Sequence, residues 1–374
     1  MQSQNINYLP GLDHLRGFAA LLIVCYHGVH LIGYPLRYGE PFAPARLLEN
    51  WPQTANPIGA LIFEGHTAVA LFLVLSGFIF TYGSLHKTII YHRFIINRLL
   101  RTYPLFVLLL LTGAFAFPDR FDFTALVQTL LGFGNAQGAM DLGSFSAMFW
   151  AIAVEWQFYL VFPLLLIIFR RDGPLLLLGL IAVFILLRSL AWLEGANIRD
   201  LAYWTIIGRM DQFLLGMLAA YAYSHGVLSA VRRGVSWLLL LTALGLAIGM
   251  LYGFHQAGGW PVSAGWKILW PTLEGLCWAG VILTYLRASQ YLPARLSYWL
   301  TLPGLISYSL YLLHFSVISV LVKQQWFSTF GLPPTSAALL NTLLWLPLIC
   351  ALATLTYHCV EKPFLQLRLS YHRI

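Results

Sequence analysis

Arg16 and His27 stand eleven residues apart in DHLRGFAALLIVCYHGVHLI, residues 13–32. Eleven steps of an α-helix return to nearly the same face, about three turns and roughly 16 Å along the axis. A guanidinium is a fixed cation that holds anions, and a neutral imidazole takes up a proton near physiological pH. The residues between them are apolar, and an ionisable group in such a helix is expensive unless a site requires it. The pair therefore reads as an anion-holding group near a membrane entry and a candidate general base deep inside.

Other polar residues sit in similarly oily segments. Glu155 lies in MFWAIAVEWQFYLVFPLL, Asp211 in IGRMDQFLLGMLAA, His314 in GLISYSLYLLHFSV, and Ser76–Gly77 in TAVALFLVLSGFIF. Counted at about 1.5 Å per residue from the segment ends, His27 lies about 20 Å in and the others come to similar depth. An unpaired carboxylate such as Glu155 needs a cation, a proton or a histidine to orient. Asp211 has Arg209 two residues away on a different helix face, so an ion pair to a neighbouring helix and a chemical role are both open. His314 follows a serine- and tyrosine-rich stretch that could simply join helices by hydrogen bonds. Ser76–Gly77 reads as a close helix contact before it reads as a nucleophile, for it lacks the G-x-S-x-G surroundings. FIINRLLRTYPLF puts Arg98 and Arg101 on one helix face. Two planar guanidinium forks suit phosphate, although an ordinary basic flank would look the same.

The elements that must position these groups follow from composition. The chain has 374 residues, 59% hydrophobic and 10% charged, with a mean hydropathy of +0.74. Soluble domains carry about 25% charged residues. The sequence predicts an all-α, polytopic transmembrane helical bundle forming a single domain over residues 1–374. Runs long enough to cross a bilayer fall at 14–33, 66–83, 99–117, 145–169, 174–193, 201–223, 235–253, 268–286, 304–323 and 336–358. Ten spans place both termini on one side. Fourteen lysines and arginines, Arg373 among them, then fall on that side and six on the other, which predicts cytoplasmic termini. The run Phe123 to Phe133 is too short to cross, so 118–144 reads as a re-entrant or interfacial segment on the outer side. The outer segment 34–57 suits either an approaching polar acceptor or a packed cap. Cys25, Cys277, Cys350 and Cys359 show no paired or metal-ligand spacing and read as small buried side chains. No metal is expected. The net charge of +8 is spread over short loops, which argues against a nucleic-acid partner.

These strings resemble the acyltransferase-3 family of integral membrane acyltransferases almost from end to end. LDHLRGFAALLIVCYH is similar to its opening motif of a basic residue, ten residues and a histidine. TAVALFLVLSGFIF, FIINRLLRTYP and MFWAIAVEWQFYLVFP resemble its serine–glycine, arginine-pair and tryptophan–glutamate–tyrosine segments. GRMDQFLLGMLAA, LISYSLYLLH and LTYHCVEKPF look like its late signatures. Two positions depart from the pattern. His14 stands where a glycine is usual, and Trp156 where a second glutamate often follows, so no role for a double acid carries over. Some relatives continue into an extracytoplasmic hydrolase-like domain, which is not expected in this sequence.

The resemblance implies transfer of an acyl group, often acetyl from acetyl-coenzyme A, to a carbohydrate or glycan hydroxyl, within the bacterial inner membrane. Acyl-coenzyme A is then a co-substrate rather than a bound cofactor, and the lipid bilayer is the surrounding medium. Arg16, Arg98 and Arg101 are expected to hold the donor's phosphates, with its arm along the first helix and its thioester near His27. His27 is expected to act as general base, with a covalent acyl-histidine as the alternative. Glu155 is expected to orient His27 or to stabilise its imidazolium, and Tyr159 and Trp156 are candidate donors to the oxyanion. Arg16, His27 and Glu155 are thus the expected catalytic group. His314, Asp211, Ser76 and Tyr159 are secondary candidates. A proton-coupled transporter is the rival reading, since buried histidines and carboxylates also relay protons; the sequence shows no internal repeat of the kind many transporters carry.

Overall fold

The computed structural model describes residues 8–372, so Arg373 lies outside the described residues. Eleven long helices build the bundle. They are α1 Pro10–Tyr38, α2 Thr67–Ser84, α3 Tyr91–Ala116, α4 Phe149–Asp172, α5 Pro174–Leu193, α6 Ile206–Ser224, α7 Arg233–Gln256, α8 Trp270–Ser289, α9 Ala294–Leu305, α10 Ser307–Lys323 and α11 Pro334–Thr356. Among the described residues there is no β-sheet; a single antiparallel bridge joins Ile89 and His372.

Burial sorts the helices into an inner and an outer set. The apolar stretch of α2 is 83% buried and that of α5 only 17%. Leu175, Leu186 and Leu193 of α5 and Leu238, Leu241 and Leu246 of α7 are exposed. An apolar exterior around a polar-studded interior is the arrangement a bilayer demands. Among the described residues, seven helices are long and apolar enough to cross a membrane. The expected span 304–323 is α10, and α9 precedes it at a 55° bend, the two together being long and apolar enough for a broken span or a re-entrant loop. Pro303 lies inside α9, where it removes a backbone donor. The expected spans 201–223 and 268–286 correspond to α6 and α8. These carry Arg209, Asp211 and Glu274 within their buried faces, which lowers their mean hydropathy.

Close packing of α2 on α6 fixes the middle of the bundle. A Cβ on Gly77 would lie 2.0 Å from the carbonyl oxygen of Phe213, and one on Gly216 would lie 2.1 Å from that of Val74. Gly77 is therefore a close helix contact, which leaves the neighbouring Ser76 free to face elsewhere. The segment Phe123–Phe133 forms a short apolar helix that breaks at Gly132, whose φ is +86°. The segment 34–57 is a packed cap. Trp51 is buried, and its Nε1 donates to Glu64 Oε1 at 2.8 Å, while Thr54 N donates to His255 Nε2 at 3.1 Å. All four cysteines are free thiols; Cys359 is exposed, contrary to the expectation of burial, and the other three are half-buried.

Candidate active site

A cavity of about 270 Å³ opens between α1, α2, α3, α4 and the α9–α10 bend. Arg16, Arg98, Arg101, Ser76, Glu155 and Tyr159 all line it. Residues from four helices, far apart in the chain, thus meet in one chamber. Helical spacing accounts for the pairs: Arg98 and Arg101 are one turn apart on α3, and Glu155 and Tyr159 one turn apart on α4. The α9–α10 bend brings Tyr308 and Tyr311 to the same wall.

The arginines are unequally compensated. Arg101 Nη1 donates to Glu361 Oε2 at 2.8 Å, and Ser309 also donates to that carboxylate. Arg16 Nη1 reaches Asp13 Oδ1 only at 3.5 Å. Arg98 lies over the ring of Phe80 at 4.7 Å, and its Nε finds no hydrogen-bond partner among the described residues. A fourth arginine, Arg368, also lines the wall. Sequence reading missed it. Arg368 sits in a C-terminal basic stretch that signals topology more readily than a site.

Glu155 does not meet His27. Its Oε1 accepts a hydrogen bond from Ser76 Oγ at 2.7 Å, so the expected orienting contact is replaced by a serine–carboxylate pair in the cavity wall. Trp156 is also corrected as a candidate oxyanion donor. Its Nε1 donates to Thr102 Oγ1 at 2.9 Å, and the side chain is buried against α3.

His27 pairs instead with His314. Nδ1 of His27 and Nε2 of His314 are 2.8 Å apart. His314 Nδ1 lies 3.0 Å from the carbonyl oxygen of Leu310. A carbonyl can only accept, so Nδ1 of His314 carries the proton and its neutral ring offers Nε2 as acceptor. His27 must then donate from Nδ1, which leaves its own Nε2 lone pair free. The chain of two rings and a carbonyl sets the tautomer a general base needs. Sequence reading brought both histidines to similar depth without pairing them, because nothing local links residues 287 positions apart.

Neither histidine lines the cavity, whose wall includes Phe72 and Tyr311. Their rings are 6.0 Å apart, and the Tyr311 ring lies 6.1 Å from His314. Tyr311 therefore stands between the arginine chamber and the histidine pair. Its buried hydroxyl finds no hydrogen-bond partner among the described residues.

Asp211 takes the structural option. Arg188 of α5 donates to it through Nη1 at 3.1 Å and Nη2 at 2.7 Å, and both side chains are fully buried. Arg209 turns to Glu274 at 3.2 Å. These ion pairs hold α5, α6 and α8 together, away from the chamber.

The comparisons with known proteins agree with this picture. The family description "Acyltransferase domain" matches residues 9–357. A Bacillus subtilis protein named "Putative peptidoglycan O-acetyltransferase YrhL" is 25% identical across 97% of this chain and 56% of its own length. A Haemophilus influenzae "Uncharacterized protein" is 32% identical across 32% of this chain and 58% of its own length. The chain thus spans little more than half the length of either curated relative. No solved structure matches.

Proposed function

This chain belongs to the acyltransferase-3 family, and from that premise we propose that it moves an acyl group, acetyl in the first instance, across a membrane. The donor is acyl-coenzyme A entering from the cytoplasm. The acceptor is a hydroxyl of an envelope glycan on the far side, and the setting is the bacterial inner membrane with cytoplasmic termini. The observation that carries the reading is the chamber into which four arginines converge, with Tyr311 in its wall and the Tyr311 ring 6.1 Å from His314.

The donor's phosphates bind the guanidiniums, whose planar forks match phosphate oxygens. Arg16 and His27 lie on one unbroken helix, about 16 Å apart along its axis, a span comparable with the reach of the coenzyme's arm. The arm passes Glu155, which Ser76 holds in the wall; a fixed carboxylate accepts from the amide N–H groups of the arm. Glu155 thereby positions the donor. The thioester reaches His27 once Phe72 and Tyr311 swing aside. Tyr311, with its free hydroxyl, is then placed to donate to the oxyanion.

His27 Nε2 takes the proton of the acceptor hydroxyl as that oxygen attacks the thioester carbon. The tetrahedral intermediate collapses, the carbon–sulfur bond breaks, and the thiolate leaves with the proton returned by the imidazolium. His314 holds Nδ1–H of His27 throughout. Membranes containing the protein, supplied with labelled acetyl-coenzyme A and envelope glycan, test this. His27→Ala should bind the donor and fail to transfer the label. Transfer at the wild-type rate by a folded His27→Ala protein would overturn the role of His27.

A further inference from the structure

The polypeptide after α11 does not trail away. It turns back beneath α3 as a strap. The side chain of Asn97 clamps Leu369, donating from Nδ2 to its carbonyl at 2.7 Å and accepting its N–H at Oδ1 at 2.8 Å. Arg93 donates to the carbonyl of Ser370 at 3.3 Å. The N–H of Ile90 donates to the carbonyl of Tyr371 at 2.8 Å, and Ser84 Oγ lies 3.0 Å from His372 Nε2. Tyr371 is buried, with its ring 5.4 Å from that of Phe94. Such a clamp fixes the residue just before it, which is Arg368. A surface tail with no task would not be expected to bury an arginine in a chamber that already holds three.

The electrostatics of that position are unusual. Burial, with Arg98, Arg101 and Arg16 adding repulsion, pulls the Arg368 guanidinium down to about 9. A guanidinium gives up its proton with great reluctance, so the group stays charged among its cationic neighbours. Nε of Arg368 and Nε of Arg98 are both buried and find no hydrogen-bond partner among the described residues. Arg16 and Arg101, by contrast, each face a carboxylate. The chamber thus holds one partly neutralised pair of arginines and one bare pair.

Coenzyme A carries two kinds of phosphate. Its pyrophosphate bears one charge on each phosphorus, and its 3′-phosphate is a monoester that approaches two. We propose that the strap completes the donor site, and that Arg368 with Arg98 forms the subsite for the 3′-phosphomonoester. The most highly charged phosphate goes to the least compensated cations. Arg16 and Arg101 take the pyrophosphate. The inference rests on the donor reading above and adds to it a residue and a specificity.

Binding of coenzyme A and of 3′-dephospho-coenzyme A to purified protein in nanodiscs tests it. Wild type should bind coenzyme A more tightly, by about tenfold or more, the worth of a charge-assisted contact. Arg368→Gln should lose that margin and bind both ligands alike. Arg368→Lys, which keeps a point charge without the fork, should fall between. Arg171→Gln, at an exposed arginine paired with its neighbour Asp172, should match wild type. Hydrogen exchange gives an independent reading: amides of 369–372 should gain protection with coenzyme A and gain less with the dephospho form. A folded Arg368→Gln protein that still discriminates between the ligands overturns the strap's role. A wild-type protein that binds neither ligand overturns the donor reading itself, and the strap's role with it.

Discussion

His314→Gln and His314→Ala separate positioning from donor binding. In the wild type, His314 Nε2 accepts the Nδ1–H of His27 at 2.8 Å, with the His314 ring fully buried and His27 half-buried. Alanine removes that acceptor and leaves a buried donor unsatisfied, which costs about 1–3 kcal/mol. The same loss in the transition state, where His27 is an imidazolium, slows kcat by about tenfold to a hundredfold. Glutamine places an oxygen near the lost Nε2 and should recover part of the rate. Donor binding occurs at the arginines, so KM for acetyl-coenzyme A should stay within about twofold, well under the 1.4 kcal/mol of a decade. Initial rates of label transfer in membranes, normalised to folded protein, give both constants. Unchanged kcat in His314→Ala, or an effect confined to KM, would refute the two-ring relay.

Asp211→Ala should destabilise the protein by about 3–5 kcal/mol, because it leaves Arg188 charged and buried without its partner. Thermal melting in detergent measures this, and the double variant Arg188→Leu/Asp211→Leu should recover most of the loss. Gly77→Ala should force α2 and α6 apart, since the added carbon would sit 2.0 Å from Phe213 O. An overpacking penalty of roughly 1–3 kcal/mol is expected in the same assay, and an unchanged melting temperature would contradict the packing. Lys267 is buried, and it donates to the carbonyls of Gly259 at 3.0 Å and Trp260 at 2.7 Å. Burial pulls its ammonium down to about 7. The folded protein therefore binds fewer protons than the unfolded chain between about pH 7 and the ordinary lysine range, and this group adds stability as pH rises across that window. Lys267→Met should remove that slope, seen as a smaller gain in melting temperature from pH 7 to pH 9 than in wild type.

Helical periodicity is a local property, which is why the Arg16–His27 offset, the Arg98–Arg101 pair and the apolar runs of the seven membrane-length helices could all be read in one dimension. The groups that complete the site are not local. Arg368 reaches the chamber because Asn97 clamps its neighbour from 272 positions away, and His27 meets His314 because α1 and α10 pack side by side. Asp211 shows the same limit from the other direction. Its nearby arginine in the chain, Arg209, faces Glu274, and its actual partner comes from α5. The bend between α9 and α10 was hidden because Pro303 lies beside an apolar run that reads as a straight span. Glu155 was legible as a buried carboxylate that needed a partner, but the hydroxyl that supplies it sits on another helix at a position that reads as a packing contact.

The most direct measurement places donor and acceptor on opposite sides of a sealed bilayer. Oriented proteoliposomes should move label from acetyl-coenzyme A at the arginine-lined face to glycan at the other face, and lose that transfer with His27→Ala. Transfer that occurs only when both substrates share one compartment would contradict a route from Arg16 to His27 through the membrane.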